Sequence, residues 1–191
     1  MDLFSAIEVR TSCRAFLSDP IDKPTIQRIL AAGARAPSPL NTQPWQFIVI
    51  TGQARKQAIY EEAERCRVWA MEQSGWKWLD SYKMDFLLQA PVLVAVVGDP
   101  KKSGMDTFQA DGPVGYLLAC SAAIQNMLLA AHALDLGSLY FTLYDKVHLR
   151  RILDIPDDKT PVALVCLGRP AGPLKPVPRK AVEDKTVFLE D

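Results

Sequence analysis

The sequence predicts an α+β sandwich in which a small sheet packs around one long buried helix. Three features carry that expectation. Helical and strand patterns alternate along the chain. Residues 91–97 (PVLVAVV) are apolar at every position, as a strand covered on both faces must be. Residues 110–134 are apolar almost all round, which marks a helix in the middle of the fold.

In chain order, residues 3–9 read as a short helix. Residues 22–34 read as a better one. Asp22 can cap it, Pro24 suits its first turn, and Ile26, Ile29 and Leu30 form an apolar stripe. This helix gives way near Ala36, just before Pro37. Residues 45–51 (WQFIVIT) are rich in aromatic and β-branched types and form the first strand. Residues 53–73 are charged with a spaced apolar face, hence an outer helix. After the 91–97 strand and the 110–134 helix come a strand at 138–143, a short helix at 147–153 and a strand at 161–168. The order is α-α-β-α-β-α-β-α-β. Residues 170–178 are proline-rich and extended. The tail, 170–191, has too few helical or strand signals to fold separately. A single domain over 1–191 is expected, with a tail that reaches a second copy.

A chain of 191 residues suits one domain, and a domain of this size buries roughly 70% of its unfolded surface. Hydrophobic residues make up 49%, so a full core is available. Basic and acidic residues balance at 22 each. Nucleic acid and anionic membranes are therefore not expected partners, since each asks for clustered positive charge. Cys13, Cys66, Cys120 and Cys166 are far apart, and only His132 and His148 supply imidazole. No closely spaced ligand set exists, so no metal is expected, and reduced thiols are favoured over disulfides. The start, MDLFSAIEVR, carries Asp2 and Glu8 and lacks the apolar core of a signal peptide. The most apolar stretch, 114–136, contains Gln125, Asn126, His132 and Asp135, which suits a buried helix better than a membrane span. A soluble, cytoplasmic protein is the expectation.

Several chemistries lack their motif. No G-x-G-x-x-G is present to build a dinucleotide crevice, and no G-x-S-x-G elbow to build a hydrolase. Gly98 and Gly104 flank DPKKS, but no Gly-Lys-Ser/Thr follows, so this is a surface turn. Two polar clusters remain. Arg10, Thr11, Ser12 and Arg14 bring guanidinium and hydroxyl groups together, and a guanidinium fork matches two phosphate oxygens at once. The second, Ala36-Pro37-Ser38-Pro39-Leu40-Asn41-Thr42-Gln43-Pro44-Trp45, is stiffened by prolines and presents polar side chains between a helix and a strand. Such a loop can hold a planar ligand at small ordering cost. Taken singly, a solvated loop and a capped turn with Trp45 as core are the better explanations of these clusters.

Together they form a pattern. R-T-S-x-R-x-F at 10–16, followed by A-P-S-x-x-N-x-Q-P-W at 36–45, resembles the flavin-dependent nitroreductase family. The resemblance continues through Gln89-Ala90-Pro91, AAIQNMLLAAHALDLGS, Leu153-Asp154-Ile155-Pro156 and Leu167-Gly168-Arg169-Pro170, so it spans nearly the whole chain. It implies a small, mostly antiparallel sheet and FMN bound at a homodimer interface. By similarity, Arg10 and Ser12 hold the phosphate and ribityl chain, with a contact from Thr11. Arg14 lies near N1 and O2 of the ring, where a cation favours the anionic reduced flavin. Pro37, Ser38 and Pro39 match a loop that approaches the flavin from the partner subunit. Asn41 matches a polar position there or braces the loop. Arg179 and Lys180 stand where the family keeps a second basic grip on the phosphate. The stretch 142–145, including Leu143 and Tyr144, matches the segment facing flavin N5, although the glycine or glutamate of many relatives is missing. Lys83 is the candidate for the pyrimidine edge.

The resemblance also implies an activity. NAD(P)H gives hydride to flavin N5 and leaves, and an electron-poor acceptor such as a nitroaromatic or quinone takes it up, with no essential side-chain acid or base. Trp69, Trp76, Trp78, Tyr82, Met105 and Phe108 are candidates for the substrate walls, because aromatic walls suit flat acceptors. For any one of them, packing of a covering helix against the body is the better explanation. The alternatives are the same fold with enone reduction, dehalogenation or flavin breakdown, or a protein that stores FMN without turnover.

Overall fold

The computed structural model describes residues 2–190. Helix α1 (Leu3–Val9) starts at Asp2, whose side chain accepts from the Ser5 N–H. Helix α2 (Lys23–Gly33) starts at Asp22, whose carboxylate accepts from the Thr25 N–H at 2.7 Å. Strand β1 (Trp45–Ile50) leads into α3 (Gln53–Ser74), which stops at Gly75 with φ 67°. A left-handed residue in this place is the common way to end a helix, and glycine adopts it without strain. Then follow α4 (Phe86–Gln89), β2 (Val92–Gly98), α5 (Gly115–Ala133), β3 (Gly137–Phe141), α6 (Lys146–Ile152) and β4 (Thr160–Gly168).

The sheet has four strands in the order β1-β2-β4-β3, and every pair is antiparallel. Strand β2 shows why its sequence is continuously apolar. Leu93, Ala95 and Val97 face a core shared with α3, α4 and α6, including Ile59, Phe86, Leu87 and Leu149. Val92, Val94 and Val96 face a second core shared with α2 and α5, including Ile29, Ile124 and Met127. Alternation by two therefore buries both sets, and the sheet is sandwiched between helical layers. The β2–β4 register shifts between Val96 and Val97, opposite Pro161, which has no N–H to give to the ladder.

Three expectations need correction. The core helix begins at Gly115 and not at 110. Gly112 takes φ 75°, and the Asp106 carboxylate accepts from the Val114 and Gly115 N–H groups, fixing a later start. Its outer face is also open: Leu118, Ser121 and Gln125 are exposed, so the helix is apolar all round without being buried all round. Strand β3 ends at Phe141, because Thr142–Tyr144 turns away, the Tyr144 N–H donating to the Thr142 carbonyl. Helix α4 had no periodic signal long enough to be read. Helix α5 is the one helix among the described residues long and apolar enough to cross a membrane, and it sits in the centre of this fold. All four cysteines are buried free thiols.

The segment after α1 is fastened to the β3 edge of the sheet. Ser12 forms a parallel bridge with Ser138, and the Cys13 N–H donates to the Ser138 carbonyl at 2.9 Å. This close approach depends on Gly137, where an added Cβ would lie 2.7 Å from Cys13 Sγ and 2.8 Å from Cys13 Cβ. Gly137→Ala is therefore expected to push the 10–14 segment off the sheet and cost about 1–3 kcal/mol, as overpacking does. A urea midpoint equal to that of the unmodified chain would refute this.

Candidate functional site

The strap to β3 sets the first part of the site. Thr11 is buried, Ser12 and Arg10 are half-buried, and Arg14 is exposed. Partial burial, and then the nearby charge of Arg179, push the Arg10 guanidinium below its ordinary pKa. The tail thus brings a second cation up to the first. No carboxylate among the described residues pairs with Arg10, Arg14 or Arg179. Arg179 donates only to the carbonyls of Val177 and Pro178 in its own tail. Thr11, Ser12 and Arg14 line a cleft of about 370 Å³ whose far wall is Gly172–Lys175 and Val177. Lys175 adds a basic group that sequence reasoning missed, because it lies in a proline-rich stretch with no motif around it. Like charges held together without a partner anion are costly, and a bound anion would relieve that cost.

Arg14 also lines a second cavity of about 310 Å³, together with Trp76, Trp78, Tyr82 and Leu143. The aromatic rings form a continuous series. Trp76 stacks on Trp78 with centroids 6.1 Å apart, Trp78 meets Tyr82 edge-on at 5.5 Å, and Tyr82 meets the core ring of Phe86 at 6.4 Å. The series is anchored in the core but ends in water. Trp69, Trp76 and Trp78 are each more than half exposed, which is unusual for rings that only pack. A third cavity, also about 310 Å³, shares Ala70, Thr142 and Leu143 with the second and adds Trp69, Tyr144 and His148. The predicted Leu143, Tyr144, Trp69, Trp76, Trp78 and Tyr82 thus meet around the turn that follows β3.

Other predicted residues do not join them within one chain. Pro37, Ser38, Pro39 and Asn41 lie in the loop before β1, which packs on residues 104–108. A Cβ on Gly104 would lie 2.6 Å from Pro39 Cβ, so this glycine (φ 83°) permits the contact. The loop is braced from within: Ser38 Oγ accepts from the Gln43 N–H at 3.0 Å, and Asn41 Oδ1 accepts from Gln43 Nε2 at 3.3 Å. Leu40, Asn41 and Gln43 all take positive φ without being glycine, so the bracing holds a strained shape. Met105 and Phe108 belong to this second region and line neither aromatic cavity. Lys83 is exposed and lines neither cavity either, and Lys180 is exposed beside Arg179.

Comparison with known proteins decides the family. The nitroreductase family model matches residues 7–169. The chain belongs to the nitroreductase family. A relative in Rhodospirillum rubrum, a 5,6-dimethylbenzimidazole synthase, is 33% identical over 165 residues, 84% of this chain and 78% of that protein. An NADH dehydrogenase of Thermus thermophilus is 29% identical over 198 residues, covering 90% of this chain and 88% of its own. Among solved structures, a nitroreductase with bound FMN from Desulfitobacterium hafniense superposes with a TM-score of 0.79 at 22% identity, over 100% of both chains, and so shares the fold.

In this nitroreductase-family chain, sequence reasoning also missed a polar network behind the turn after β3. Glu62 on α3 is buried, yet its carboxylate accepts from Arg65 Nε and Nη2, from Cys66 Sγ and from the Asp145 N–H. Asp145 in turn caps α6, accepting from the Val147 and His148 N–H groups at 2.9 Å, and lies 2.9 Å from His148 Nδ1. Glu62, Asp145 and His148 present metal-type ligand atoms within 4.8 Å of one another. Arg65 and the helix amides already engage the carboxylate oxygens, so this is a hydrogen-bonded ion network. The missing signal is distance along the chain, since Glu62 and Asp145 are 83 residues apart.

Burial alone would push the Glu62 carboxyl up, but hydrogen bonds from Arg65, Cys66 and Asp145 outweigh it and hold the group below its ordinary value. Burial and the adjacent Glu62 push the Cys66 thiol up to about 11, so it stays a donor. A lowered carboxyl pKa contributes stability above the unfolded value of about 4.3, lost as pH falls through the folded value. Glu62→Gln is expected to lower stability at neutral pH by about 1.5–3 kcal/mol. That deficit should shrink in urea titrations below about pH 4; a gap that stays constant with pH would argue against the ionic role.

Proposed function

We propose that this protein is an FMN-dependent oxidoreductase that works as a homodimer and passes hydride from NAD(P)H to a small electron-poor acceptor. One observation supports this above the rest. Arg10 and Arg179 lie near one another without carboxylate partners, and Arg14, also without one, lines both the cleft beside Thr11 and Ser12 and the aromatic-walled cavity. A phosphate suits the first part and a planar ring the second. In this reading Arg10, Thr11, Ser12 and Arg179 hold the phosphate, with Lys175 and Lys180 adding positive charge. Arg14 stands beside the ring, and the backbone of Leu143 and Tyr144 borders it. Pro37, Ser38, Pro39 and Asn41 belong to the second region and reach the cofactor of the partner subunit, as Phe108 does. Trp69, Trp76, Trp78 and Tyr82 screen the site from water and flank a flat acceptor. FMN supplies the two-electron chemistry when bound.

Exposed apolar surface supports the dimer. Helix α1 presents Leu3, Phe4 and Ile7, α5 presents Leu118, and the tail presents Val187, Phe188 and Leu189, all largely exposed in a single chain. A tail that brings Arg179 near Arg10 and ends in apolar residues is suited to lie on a second copy. Soluble, cytoplasmic protein fits this reading. A second reading keeps fold and cofactor and changes the reaction, favoured by the 33% identity to a 5,6-dimethylbenzimidazole synthase.

The test is an anaerobic absorbance titration of purified protein. A flavin spectrum that NADH or NADPH bleaches, and that a quinone or nitroarene restores, is the expected outcome. A flavin that neither donor bleaches would favour the second reading, and no flavin after soaking in FMN would end both. Arg10→Ala should release FMN more readily by about 10–100-fold, the equivalent of about 1.5–3 kcal/mol for a charge-assisted contact. Unchanged FMN retention would put the phosphate elsewhere. Sedimentation at micromolar concentration should give a particle of twice the 21.2 kDa chain mass, and a monomer under FMN-loaded conditions would overturn the dimer.

A further inference from the structure

We infer that Glu62, clamped by Arg65, is a positioning residue for the cofactor ring: it holds the turn at 142–145 where that turn walls the cavity beside Arg14. The inference rests on the oxidoreductase reading above, which seats the ring in that cavity, and adds to it two residues that do not line the cavity themselves.

The chain of contacts is short. Thr142 and Leu143 line the cavity with Arg14, and Ala70 of α3 lines it as well. Helix α3 and the turn therefore form two walls of one cavity, and their separation sets its width. Within the turn, the Tyr144 N–H donates to the Thr142 carbonyl at 3.0 Å, and at its end Asp145 caps α6. These bonds shape the turn without tying it to α3. The tie is Glu62, whose Oε1 accepts from the Asp145 N–H at 2.9 Å. Among the described residues, no other side chain from outside residues 142–149 bonds to this turn. Leu143 and Tyr144 also pack on the apolar core, but apolar contact is non-directional and fixes a backbone less sharply than a hydrogen bond does.

The carboxylate is itself held still. Arg65 reaches Oε2 through Nε at 2.9 Å and Oε1 through Nη2 at 2.8 Å, and the Cys66 thiol donates to Oε1 at 3.1 Å. Glu62 is 6% exposed, so its charge depends on these donors. Buried ion pairs can often be replaced by apolar side chains without loss of stability, so what this network adds to α3 is a fixed position for the turn. Position matters for the proposed reaction. Hydride transfer needs its two atoms about 3–3.5 Å apart and aligned, and a shift of about 1 Å can slow it by about 100-fold.

The test compares two buried polar residues of α3. Glu62→Ala removes the acceptor of the Asp145 N–H. Lys56→Met removes a buried ammonium that donates to the Ala90 carbonyl at 2.7 Å and lines neither aromatic cavity nor the phosphate cleft. Both should lower the urea midpoint. In cofactor-free protein the Asp145 amide should exchange about 10-fold or more faster in Glu62→Ala, relative to the amides of β2, and unchanged in Lys56→Met. Glu62→Ala should also bind FMN about 10-fold more weakly and change the visible circular dichroism of the bound flavin, whereas Lys56→Met matches wild type in both. Glu62→Gln keeps a carbonyl acceptor and loses the ion pair, so it should show smaller changes of the same sign, and it carries the comparison if Glu62→Ala does not fold. Wild-type FMN affinity and circular dichroism in the Glu62 variants, or equal changes in these and in Lys56→Met, would overturn the inference and leave the oxidoreductase reading standing. Wild-type protein that takes up no FMN would overturn that reading and the ring's place in the inference with it, and exchange of the Asp145 amide would still decide whether Glu62 holds the turn.

Discussion

Both faces of the β2–β4 pair are covered by helix, and that constraint decides where polar groups can gather. Val92, Val94 and Val96 must meet α5 and α2, while Leu93, Ala95 and Val97 must meet α3, α4 and α6. A charged group on either central strand would be buried without a partner, at a cost of several kcal/mol. The edge strand β3 is different. Its outer side is free to pair with the 11–13 segment, and its C-terminal end turns out of the sheet at Thr142. Thr11, Ser12, Arg14, Leu143 and Tyr144 line cavities along that edge or at that turn.

The buried Glu62 carboxylate shows how an outer helix and the site are tied together. Its donors come from α3 itself and from the backbone at the start of α6, so one charge fixes the turn that separates the two aromatic cavities. Removing Arg65 would leave Oε2 of this buried carboxylate without a donor, which gives such a network more positional stringency than an apolar contact of equal area. The loop before β1 uses another device. Ser38, Asn41 and Gln43 bond to one another, and these bonds brace a loop in which Leu40, Asn41 and Gln43 take positive φ. Strain retained by internal bracing is common where a loop must meet a ligand in one shape.

The halves of the proposed cofactor site are separated within the chain. Ser12 and Arg14 belong to the segment bridged to the β3 edge, with Arg179 near Arg10, while Ser38, Asn41 and Phe108 belong to the region before α5. A second copy that buries α1, Leu118 and the end of the tail would join them. In that arrangement the affinity for the cofactor and the affinity between subunits are linked, because each adds contacts that the other completes.

Sequence by itself determined the element order, the central strand, the caps of α2 and the polar segment at 10–14, because these depend on residues near one another in the chain. Period-two burial and helical stripes are local patterns, and Asp22 and Pro24 act within one turn. Tertiary structure alone decided the rest. The start of α5 moved to Gly115 because Asp106 caps it from nine residues away. Arg179 meets Arg10, and Glu62 meets Asp145, only after the chain has folded, so neither pairing leaves a mark in local composition. Phe108 looked like part of the same aromatic wall as Trp78, but the sheet and α5 set their positions, and residue type carries no record of direction in space.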